Sequence, residues 1–462
     1  MRDANQWYCG IFSITRGPEI LSSIKYAEIT LIIVILSYNM FHKETIRFVS
    51  DSAQLRLLAF YYFAIGFVPW YTIERLFQSD VLLLSGGQVI LLINAAFISG
   101  LFFEIPSSVL ADRWSRSRAL GVSLIFASLA GLIGALSQNF WHMVVVSLCW
   151  AVASALHSGT SDALGYDILH EQKQTKRYPQ VLAFYNQIFA FSLLLGSTSS
   201  GFLSTWFGYR AAYAAVLILM PIVAYLILRM EEPQFHKADQ AVTSLRHVGK
   251  SLKQIITDKR IRWLAGMTLV INYMIVIPVY EFLTYLIVNK GFDLIELGIW
   301  RSLMTNGVVL VFSVLAATYY RKAQQLIVPV LAAASLFMYL ATVYSGSKYI
   351  FALLFGTAFV LQRIVSQWLQ TGLQHYFKSS ERATTTSLVA WFGGLAWAGM
   401  SMIVALRFSE SIEAVYVLVS QSLAVLAIIG GATLFAYRKQ DIFKEDKQDS
   451  TNEETMMLDT KG

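Results

Sequence analysis

Residues 119–161 read ALGVSLIFASLAGLIGALSQNFWHMVVVSLCWAVASALHSGTS and contain no Asp, Glu, Lys or Arg. A transmembrane helix needs about 20 mostly apolar residues to cross a hydrocarbon core roughly 30 Å thick. This run is long enough for two such helices, and Gln138-Asn139 near its middle predicts the hairpin between them. The stretch therefore predicts a chain that crosses a membrane more than once.

The composition of the whole 462-residue chain points the same way. Charged residues make up 14% of it, the apolar set AVILMFWYC makes up 56%, and the mean hydropathy is +0.54. An ordinary globular protein has about 25% charged residues. The two cysteines, Cys9 and Cys149, are too few for a disulfide framework or a zinc site. Composition thus excludes a secreted scaffold, a metal-clustered enzyme and a disordered chain.

Similar charge-free runs recur along the chain and predict twelve spans. They lie at 57–73, 81–103, 119–161 (two spans), 181–209, 211–228, 263–280, 302–320, 323–347, 349–377 (interrupted by Arg363), 383–406 and 414–437. Strands of a membrane barrel alternate in polarity over about 10 residues, and these runs do not. We therefore predict an all-α polytopic membrane protein.

Lys and Arg are distributed unevenly between alternate loops. One set of loops, with the C-terminal tail, holds 23 of the 36 basic residues, whereas the opposite set holds five: Arg75, Arg210, Lys290, Lys348 and Arg407. Because positively charged loops stay inside, both termini of this multi-pass cell-membrane protein are predicted to be cytoplasmic. The net charge of +7 then reflects orientation, and we expect no nucleic-acid partner.

The two halves of the chain show a weak internal repeat, which transporters often retain. LRLLA at 55–59 resembles IRWLA at 261–265 at an offset of 206, and VPWY at 68–71 resembles IPVY at 277–280 at an offset of 209. The repeat predicts two six-helix bundles. The predicted domains are a cytoplasmic extension at 1–50, an N-terminal bundle at 51–230, a cytoplasmic linker at 231–261, a C-terminal bundle at 262–437 and a cytoplasmic tail at 438–462. Residues 1–39 are either an accessory extension or a misassigned start upstream of Met40.

The loop between the second and third spans, residues 108–118, reads SVLADRWSRSR. It resembles the loop signature of the major facilitator superfamily, Gly-x-Leu-Ala-Asp-Arg-x-Gly-Arg-Lys. The matching positions are Leu110, Ala111, Asp112, Arg113 and Arg116, and the departures are Ser108, Ser115 and Ser117. The resemblance covers roughly residues 52–437 and implies two six-helix bundles that work by alternating access.

By this resemblance, Asp112, Arg113 and Arg116 form a gating loop that stabilises the outward-open arrangement. The chemistry fits such a role, because a carboxylate can cap the N-terminus of a neighbouring helix and arginines pair with carboxylates. The alternative is that these charges serve only to orient the chain, which would explain the two arginines but not Asp112.

Ionisable residues within spans cost at least about 2.5–3.5 kcal/mol on insertion scales, so each needs a partner or a water-lined cavity. His157 and Arg363 differ by 206 positions and occupy equivalent mid-span places in the two halves. The resemblance implies that both face a central cavity, where Arg363 begins a polar stripe with Gln367. The candidate substrate-binding residues are Arg363, His157, Gln367, Tyr61 and Asn186. The alternative for His157 is a hydrogen-bonded structural role.

Carboxylates in or near the spans are candidates for proton coupling. They are Glu281, Asp162 and Glu104. Glu281 and Arg301 each lie ten residues from Gly291, which puts them at similar depth on adjacent helices and predicts a salt bridge. That pair is either structural or part of a coupling site. Asp162 and Glu104 lie near the inner ends of their spans, where pairing with the arginines of the 112–118 loop is the alternative.

These features predict a secondary active transporter that exports a small amphipathic compound in exchange for protons. Uptake of a small anionic solute is the alternative, suggested by Arg363 and His157. A membrane receptor or enzyme is less favoured, because no catalytic motif and no sizeable extramembrane domain occurs in the sequence. We expect no cofactor and no metal, a small-molecule substrate, protons and the lipid bilayer as partners, and a monomer.

Overall fold

The computed structural model describes residues 43–158, 160–233, 252–253, 255–272, 277–307, 316, 319–376 and 379–436. Backbone contacts group the chain from Glu44 onward into one compact unit. Most of the predicted extension at 1–50, most of the predicted linker at 231–261 and the tail at 438–462 lie outside the described residues. The predicted domain boundaries therefore stay predictions.

Helices dominate the N-terminal half. They are α1 (Lys43–Asp51), α2 (Ala53–Gly66), α3 (Trp70–Leu76), α4 (Gly86–Arg113), α5 (Arg116–Leu136), α6 (Phe140–His157), α7 (Thr160–Glu171), α8 (Tyr178–Phe207), α9 (Tyr209–Ala214) and α10 (Val216–Leu228). A π-helical turn at Phe77–Val81 extends α3, and a 3₁₀ turn at Thr175–Arg177 precedes α8.

The C-terminal half is built in the same way. Its helices are α11 (Lys259–Leu269), α12 (Ile277–Asn289), α13 (Leu294–Ser302), α14 (Ala323–Tyr339), α15 (Lys348–His375), α16 (Ser379–Glu410) and α17 (Ile412–Ala436). Two more π-helical turns, Leu303–Gly307 and Leu340–Tyr344, extend α13 and α14, and a 3₁₀ turn at Tyr320–Lys322 precedes α14.

Nine helical segments among the described residues are long and apolar enough to span a membrane. They are Ala53–Val81, Gly86–Glu104, Arg116–Leu136, Phe140–Glu171, Thr175–Phe207, Tyr209–Leu228, Ala323–Tyr344, Lys348–Leu373 and Ile412–Phe435. The predicted eleventh span lies within the continuous helix α16, and the seventh and eighth are interrupted by residues outside the description. The all-α polytopic fold is confirmed, and the count is consistent with twelve spans.

Local sequence explains where several of these helices begin and end. Pro69 has no N–H to donate, and α2 ends at Gly66 while α3 begins directly after the proline. Asn139 accepts a hydrogen bond from the His142 N–H at 3.2 Å and caps α6. The hairpin predicted at Gln138-Asn139 is thereby confirmed between α5 and α6.

The turns between helices form two opposite faces. We call one the hairpin face, and it contains the turns at 82–85, 137–139, 208, 290–293, 345–347 and 411. We call the other the basic face, and it contains the turns at 114–115, 172–174, 229–233 and 320–322 and the end of α15. The described parts of the predicted cytoplasmic loops lie on the basic face.

Among the described residues, contacts between the two halves include four pairs of helices: α8 with α13, α4 with α16, α3 with α12, and α3 with α13. The crossing of α8 and α13 is tight, because a Cβ added at Gly201 would collide with the carbonyl oxygen of Leu294. On α13, a Cβ added at Gly298 would lie 2.9 Å from the Ser197 carbonyl oxygen. Glycine at both positions therefore allows the backbones of the two halves to touch near the hairpin face.

Candidate functional site: a charged cavity between the two halves

A cavity of about 380 Å³ lies between the two halves of the molecule. Residues of α3, α4 and α6 line it on the N-terminal side, and residues of α12, α13 and α16 line it on the C-terminal side. Five of the lining residues are ionisable: Glu74, Arg75, Glu104, Glu281 and Arg301. In a protein that spans a membrane, such a concentration of charge marks a functional cavity.

An ion pair that crosses between the halves lies at the edge of this cavity. The Arg75 guanidinium donates to the Glu281 carboxylate from Nη2 at 2.5 Å and from Nε at 3.0 Å. Arg75 Nη1 donates to Gln78 at 2.9 Å, and Glu74 lies 3.6 Å from Nη2. Both charges are largely buried, with 10% and 21% of the two side chains exposed. The pair therefore joins α3 to α12 where solvent screening is weak.

Arg301 approaches the same end of the cavity from α13. Its Nη1 donates to the Thr72 hydroxyl at 3.4 Å, and only 2% of the residue is exposed. Ser302 donates to the Leu194 carbonyl at 3.0 Å, and Asn94 donates to Ser401 at 3.0 Å. These hydrogen bonds also cross between the halves, on the side of the molecule nearer the hairpin face. The structure therefore represents a state whose hairpin face is closed.

Aromatic side chains form the wall of the cavity on the N-terminal half. The rings of Trp70 and Trp150 meet edge to face at 5.5 Å, and Tyr71 meets Trp150 in the same way at 5.4 Å. Phe97 lines the cavity from α4. Such a wall suits flat apolar groups or a cation placed over a ring face.

The structure brings three of the sequence-predicted residues together at this cavity: Glu281, Arg301 and Glu104. The similar depth inferred for Glu281 and Arg301 agrees with their lining one cavity. Trp70 lines it as well. Glu281 forms an ion pair with Arg75 of the other half. The salt bridge predicted between Glu281 and Arg301 stays a prediction.

Three further predicted residues lie together within the N-terminal half. The Tyr61 hydroxyl is 2.8 Å from the Ser123 hydroxyl and 3.1 Å from His157 Nδ1. The His157 ring packs against Tyr61, Tyr62 and Phe189 at centroid distances of 5.6, 5.9 and 6.1 Å. The Tyr62 hydroxyl donates to Asp162 at 2.6 Å. His157, Tyr61 and Asp162 therefore belong to an aromatic and polar cluster within this half.

Arg363 and Gln367 lie one helical turn apart on α15. Arg363 is half-buried, whereas Gln367 is exposed and donates to Thr371 at 3.4 Å. Asn186, on α8, is exposed. A substrate-binding role for these three residues, as for Tyr61 and His157, stays a prediction.

The predicted gating loop lies at the basic face, where α4 ends and α5 begins. The side chains of Asp112 and Arg113 lie outside the described part of the structure. Arg116 forms an ion pair with Asp167 at the end of α7. The Glu232 carboxylate accepts from the Arg116 backbone N–H at 2.6 Å and from the Ser115 hydroxyl, so it caps α5. A carboxylate cap occurs here, as the sequence chemistry suggested, and Glu232 supplies it.

Arg75 and Glu74 are the site residues that sequence reasoning missed. Arg75 was assigned to an outer loop because it follows the first charge-free run, but the helical segment continues to Val81 and buries it. Arg75 and Glu281 are 206 residues apart, the offset that relates LRLLA at 55–59 to IRWLA at 261–265, but the segments VPWY and IPVY beside the pair are related by an offset of 209. The repeat alone therefore does not identify this pair.

The Major Facilitator Superfamily model matches residues 53–401 of the chain. An uncharacterized MFS-type transporter of Bacillus subtilis (strain 168), YxaM, is 23% identical over 168 residues, or 36% of this chain. The matched part spans 41% of that relative, less than half of its length.

Several solved structures share the fold. The nucleoside transporter NupG, as its D323A mutant, superimposes with a TM-score of 0.66 at 13% identity, over 82% of this chain and 98% of its own. A bacterial homologue of the lysosomal transporter Spinster, in an inward-facing state, superimposes with a TM-score of 0.64 at 15% identity, over 86% of this chain and 97% of its own. A D-xylose-proton symporter superimposes with a TM-score of 0.61 at 15% identity, over 81% of this chain and 94% of its own. With these folds and the family match over most of its length, the chain belongs to the Major Facilitator Superfamily.

Proposed function

We propose that this protein is a secondary active transporter that works by alternating access and exports a small amphipathic compound in exchange for protons. The observation that carries the proposal is the cavity between the halves, closed toward the hairpin face by the Arg75–Glu281 ion pair. Relatives of the same fold include a nucleoside transporter and a xylose-proton symporter, which supports transport as the kind of activity.

The orientation is part of the proposal. The basic face would be cytoplasmic, with both termini on that side of the cell membrane, because Lys and Arg concentrate there. Arg116 and the proposed gating loop would then lie at the cytoplasmic surface. The state described above, with its hairpin face closed, would be an inward-facing one, and the protein would act as a monomer.

Glu281 is the proposed site of proton coupling. The ion pair with Arg75 requires an ionised carboxylate, so a proton taken up by Glu281 removes the attraction that holds α12 to α3 at this point. Buried pairs are sensitive to such a change, because the guanidinium then keeps the Glu74 carboxylate of its own helix as counter-charge but loses the one that links it to the other half. A proton bound while the hairpin face is open would be released toward the basic face when the halves close and the pair forms again, as exchange requires. Glu104 and Asp162 are proposed as further proton acceptors.

The lining of the cavity supports an amphipathic substrate. Aromatic rings supply apolar contact area, while the described ionisable residues comprise three carboxylates and two guanidinium groups. Their formal charges sum to one negative charge, which favours a cationic or neutral molecule over an anionic one. A cation over the Trp150 ring would gain about 0.5–2 kcal/mol from the ring quadrupole.

Uptake of a small anionic solute is the alternative. Arg301 lines the cavity and supports it, as does Arg363 if its guanidinium contacts the substrate. His157, the other residue that suggested an anion, packs in the aromatic cluster of the N-terminal half. Under this alternative, Arg363→Ala abolishes transport without loss of membrane insertion, whereas under the main proposal a cationic probe is still transported.

A matched set of ligands distinguishes the two substrate classes. The cation methyl-phenylpyridinium, neutral methylbiphenyl and the anion biphenyl carboxylate have closely similar shapes. We expect the cation to raise the melting temperature of the purified protein most and the anion least. Stabilisation by the anion alone, lost in Arg363→Ala, would instead establish the alternative.

Vesicle transport tests direction and coupling. In inverted vesicles with an acidic interior, labelled methyl-phenylpyridinium should accumulate through the wild-type protein, and collapse of the pH gradient should abolish accumulation. Glu281→Gln should lose the response to the gradient. Glu296→Gln is the control, because Glu296 pairs with Lys348 at 2.6 Å within the C-terminal half. Accumulation that does not depend on the pH gradient would refute proton coupling. A Glu281→Gln variant whose accumulation still depends on the gradient would refute coupling through Glu281.

A further inference from the structure

Two neighbouring hydroxyls on α12 also bind α3, beside the ion pair. Thr284 Oγ1 donates to the Thr72 carbonyl at 2.7 Å, and the Tyr285 hydroxyl donates to the Arg75 carbonyl at 2.7 Å. Glu281, Thr284 and Tyr285 are spaced i, i+3 and i+4, so they share one face of α12. The closure at this point therefore has a charged part, Arg75–Glu281, and a part made of hydroxyl-to-backbone bonds.

The two parts differ in their response to a proton. Proton uptake by Glu281 removes the charge on which the ion pair depends. The hydroxyl bonds end on backbone carbonyls, which accept equally well before and after that event. A pair of neutral hydrogen bonds changes a conformational equilibrium by roughly ten- to a hundredfold.

Packing around Thr284 and Tyr285 fixes the positions of both hydroxyls. Thr284 is fully buried. The Tyr285 ring packs against Phe408 at a centroid distance of 5.3 Å, and a Cβ added at Gly86, in the other half, would lie 2.7 Å from Phe408. The Tyr285 ring is thus held by a residue that itself touches the N-terminal half.

Other charged groups face Glu281 from the elements packed around it. They are Arg75 and Glu74 on α3, Arg301 on α13, and the phenols of Tyr285 on α12 and Tyr416 on α17. When Glu281 is neutral, Arg75 still has Glu74 of its own helix at 3.6 Å, and this contact does not link the two halves. The hydroxyl bonds must hold the halves together during this interval.

We infer that Thr284 and Tyr285 are positioning residues that keep the hairpin face closed when Glu281 takes up a proton without substrate. The inference rests on the proposed proton coupling. It explains how the substrate-free protein closes with a proton on Glu281, as exchange requires: the hydroxyl bonds hold α12 to Thr72 and Arg75 until the proton leaves toward the basic face and the ion pair forms. Without the two hydroxyls, the substrate-free protein should reopen at the hairpin face and let protons leak.

The first test measures proton leak in proteoliposomes that contain a pH-sensitive dye and no substrate. After an acid pulse outside, Thr284→Val/Tyr285→Phe should acidify the interior at least about tenfold faster than wild type. The single variant Thr284→Ser keeps both hydroxyls and should acidify the interior at the wild-type rate. Tyr185→Phe is the matched control, because its hydroxyl donates to the Leu55 carbonyl at 3.0 Å within one half. A double variant that leaks protons no faster than wild type would overturn the inference.

The second test does not depend on proton transport. Ser147 lines the cavity and is 7% exposed, so Ser147→Cys in a Cys9→Ser/Cys149→Ser background reports opening to an impermeant thiol reagent added at the hairpin face. Glu281→Gln mimics the protonated state and should stay as protected as the parent. Adding Tyr285→Phe, alone or with Thr284→Val, should raise the labelling rate about tenfold. Equal labelling with and without the hydroxyls would overturn the inference.

The two proposals fail in different ways. If substrate moves no protons in wild type while Tyr285→Phe still exposes Ser147→Cys in the Glu281→Gln background, the proton coupling is wrong and the two-part closure stands. If transport is proton-coupled and the hydroxyl variants show neither a faster proton leak nor faster labelling of Ser147→Cys, only the two-part closure is wrong.

Discussion

The hairpin face and the basic face each contain a buried arginine–carboxylate pair, but the two pairs connect different parts of the molecule. Arg75–Glu281 joins the N-terminal half to the C-terminal half. Arg116–Asp167 joins the beginning of α5 to the end of α7 within the N-terminal half. The same chemistry therefore has two expected roles: the first pair must break whenever the halves separate, and the second can persist through the cycle.

Neighbouring contacts follow the same division. Near the hairpin face, the hydroxyl bonds of Thr284 and Tyr285 and the close crossing at Gly201 all link the halves. At the basic face, Glu232 caps α5 of its own half. Position, and not the type of interaction, thus indicates which contacts belong to the transport cycle.

Arg75→Gln should have the largest effect. It leaves the carboxylates of Glu281 and Glu74 buried without the guanidinium, and breaking a buried pair costs about 3–5 kcal/mol. Transport of the probe cation should fall at least about a hundredfold while the protein remains in the membrane. Lys348→Gln breaks the pair with Glu296 within one half and should leave transport within about threefold. Equal transport rates in Arg75→Gln and Lys348→Gln would contradict the distinction between pairs that join the halves and pairs within one half.

Gly201→Ala should have the next largest effect. The added methyl would collide with the Leu294 carbonyl oxygen, and overpacking of this kind costs roughly 1–3 kcal/mol. The closed hairpin face should lose population, seen as about tenfold faster labelling of Ser147→Cys from that side. Gly356→Ala on α15 is the control, because nothing lies within 4 Å of its added Cβ. Unchanged labelling in Gly201→Ala would show that this crossing does not seal the face.

Arg116→Gln should affect stability more than transport. Losing a hydrogen bond between charged groups costs about 1.5–3 kcal/mol, so the melting temperature should fall by a few degrees. Labelling of Ser147→Cys from the hairpin face should be unchanged, because the Arg116–Asp167 pair lies within one half. A change in labelling with an unchanged melting temperature would instead favour the gating role that the loop motif implies.

Glu232→Ala should have the smallest effect. It removes the carboxylate at the start of α5, whereas the N-cap Ser115 still accepts from the Arg118 N–H, so the cost should lie near the lower end of the roughly 0.5–2 kcal/mol for a lost helix cap. A small decrease in melting temperature with normal transport is expected. Impaired transport at full stability would show that the beginning of the linker contributes to the cycle.

The sequence predicted the features that depend on local patterns. The charge-free run at 119–161 predicted two helices and their hairpin, and equal spacing from Gly291 predicted that Glu281 and Arg301 lie at similar depth. Both inferences rest on periodicity and length, which a single sequence carries directly.

Contacts between residues far apart in the chain were harder to predict from the sequence. Arg75 follows a run without charge, so counting alone placed it in a loop, whereas its burial depends on a partner 206 residues away. Glu232 lies in a stretch that reads as a linker, and its role as a cap is evident only once α5 is beside it. His157 matches Arg363 in the repeat, but the aromatic rings around it are contributed by α2 and α8.

A cross-link between the halves tests the central claim most directly. Asn94 and Ser401 are hydrogen-bonded across the closure at 3.0 Å, so Asn94→Cys/Ser401→Cys can be joined by a short reducible cross-linker. Ser335→Cys/Ser420→Cys is the control, because the Ser335 hydroxyl donates to the Ser420 carbonyl at 2.7 Å within the C-terminal half. The account predicts that the first cross-link abolishes transport until it is reduced and that the second does not. Unimpaired transport with the halves joined at Asn94 and Ser401 would contradict it.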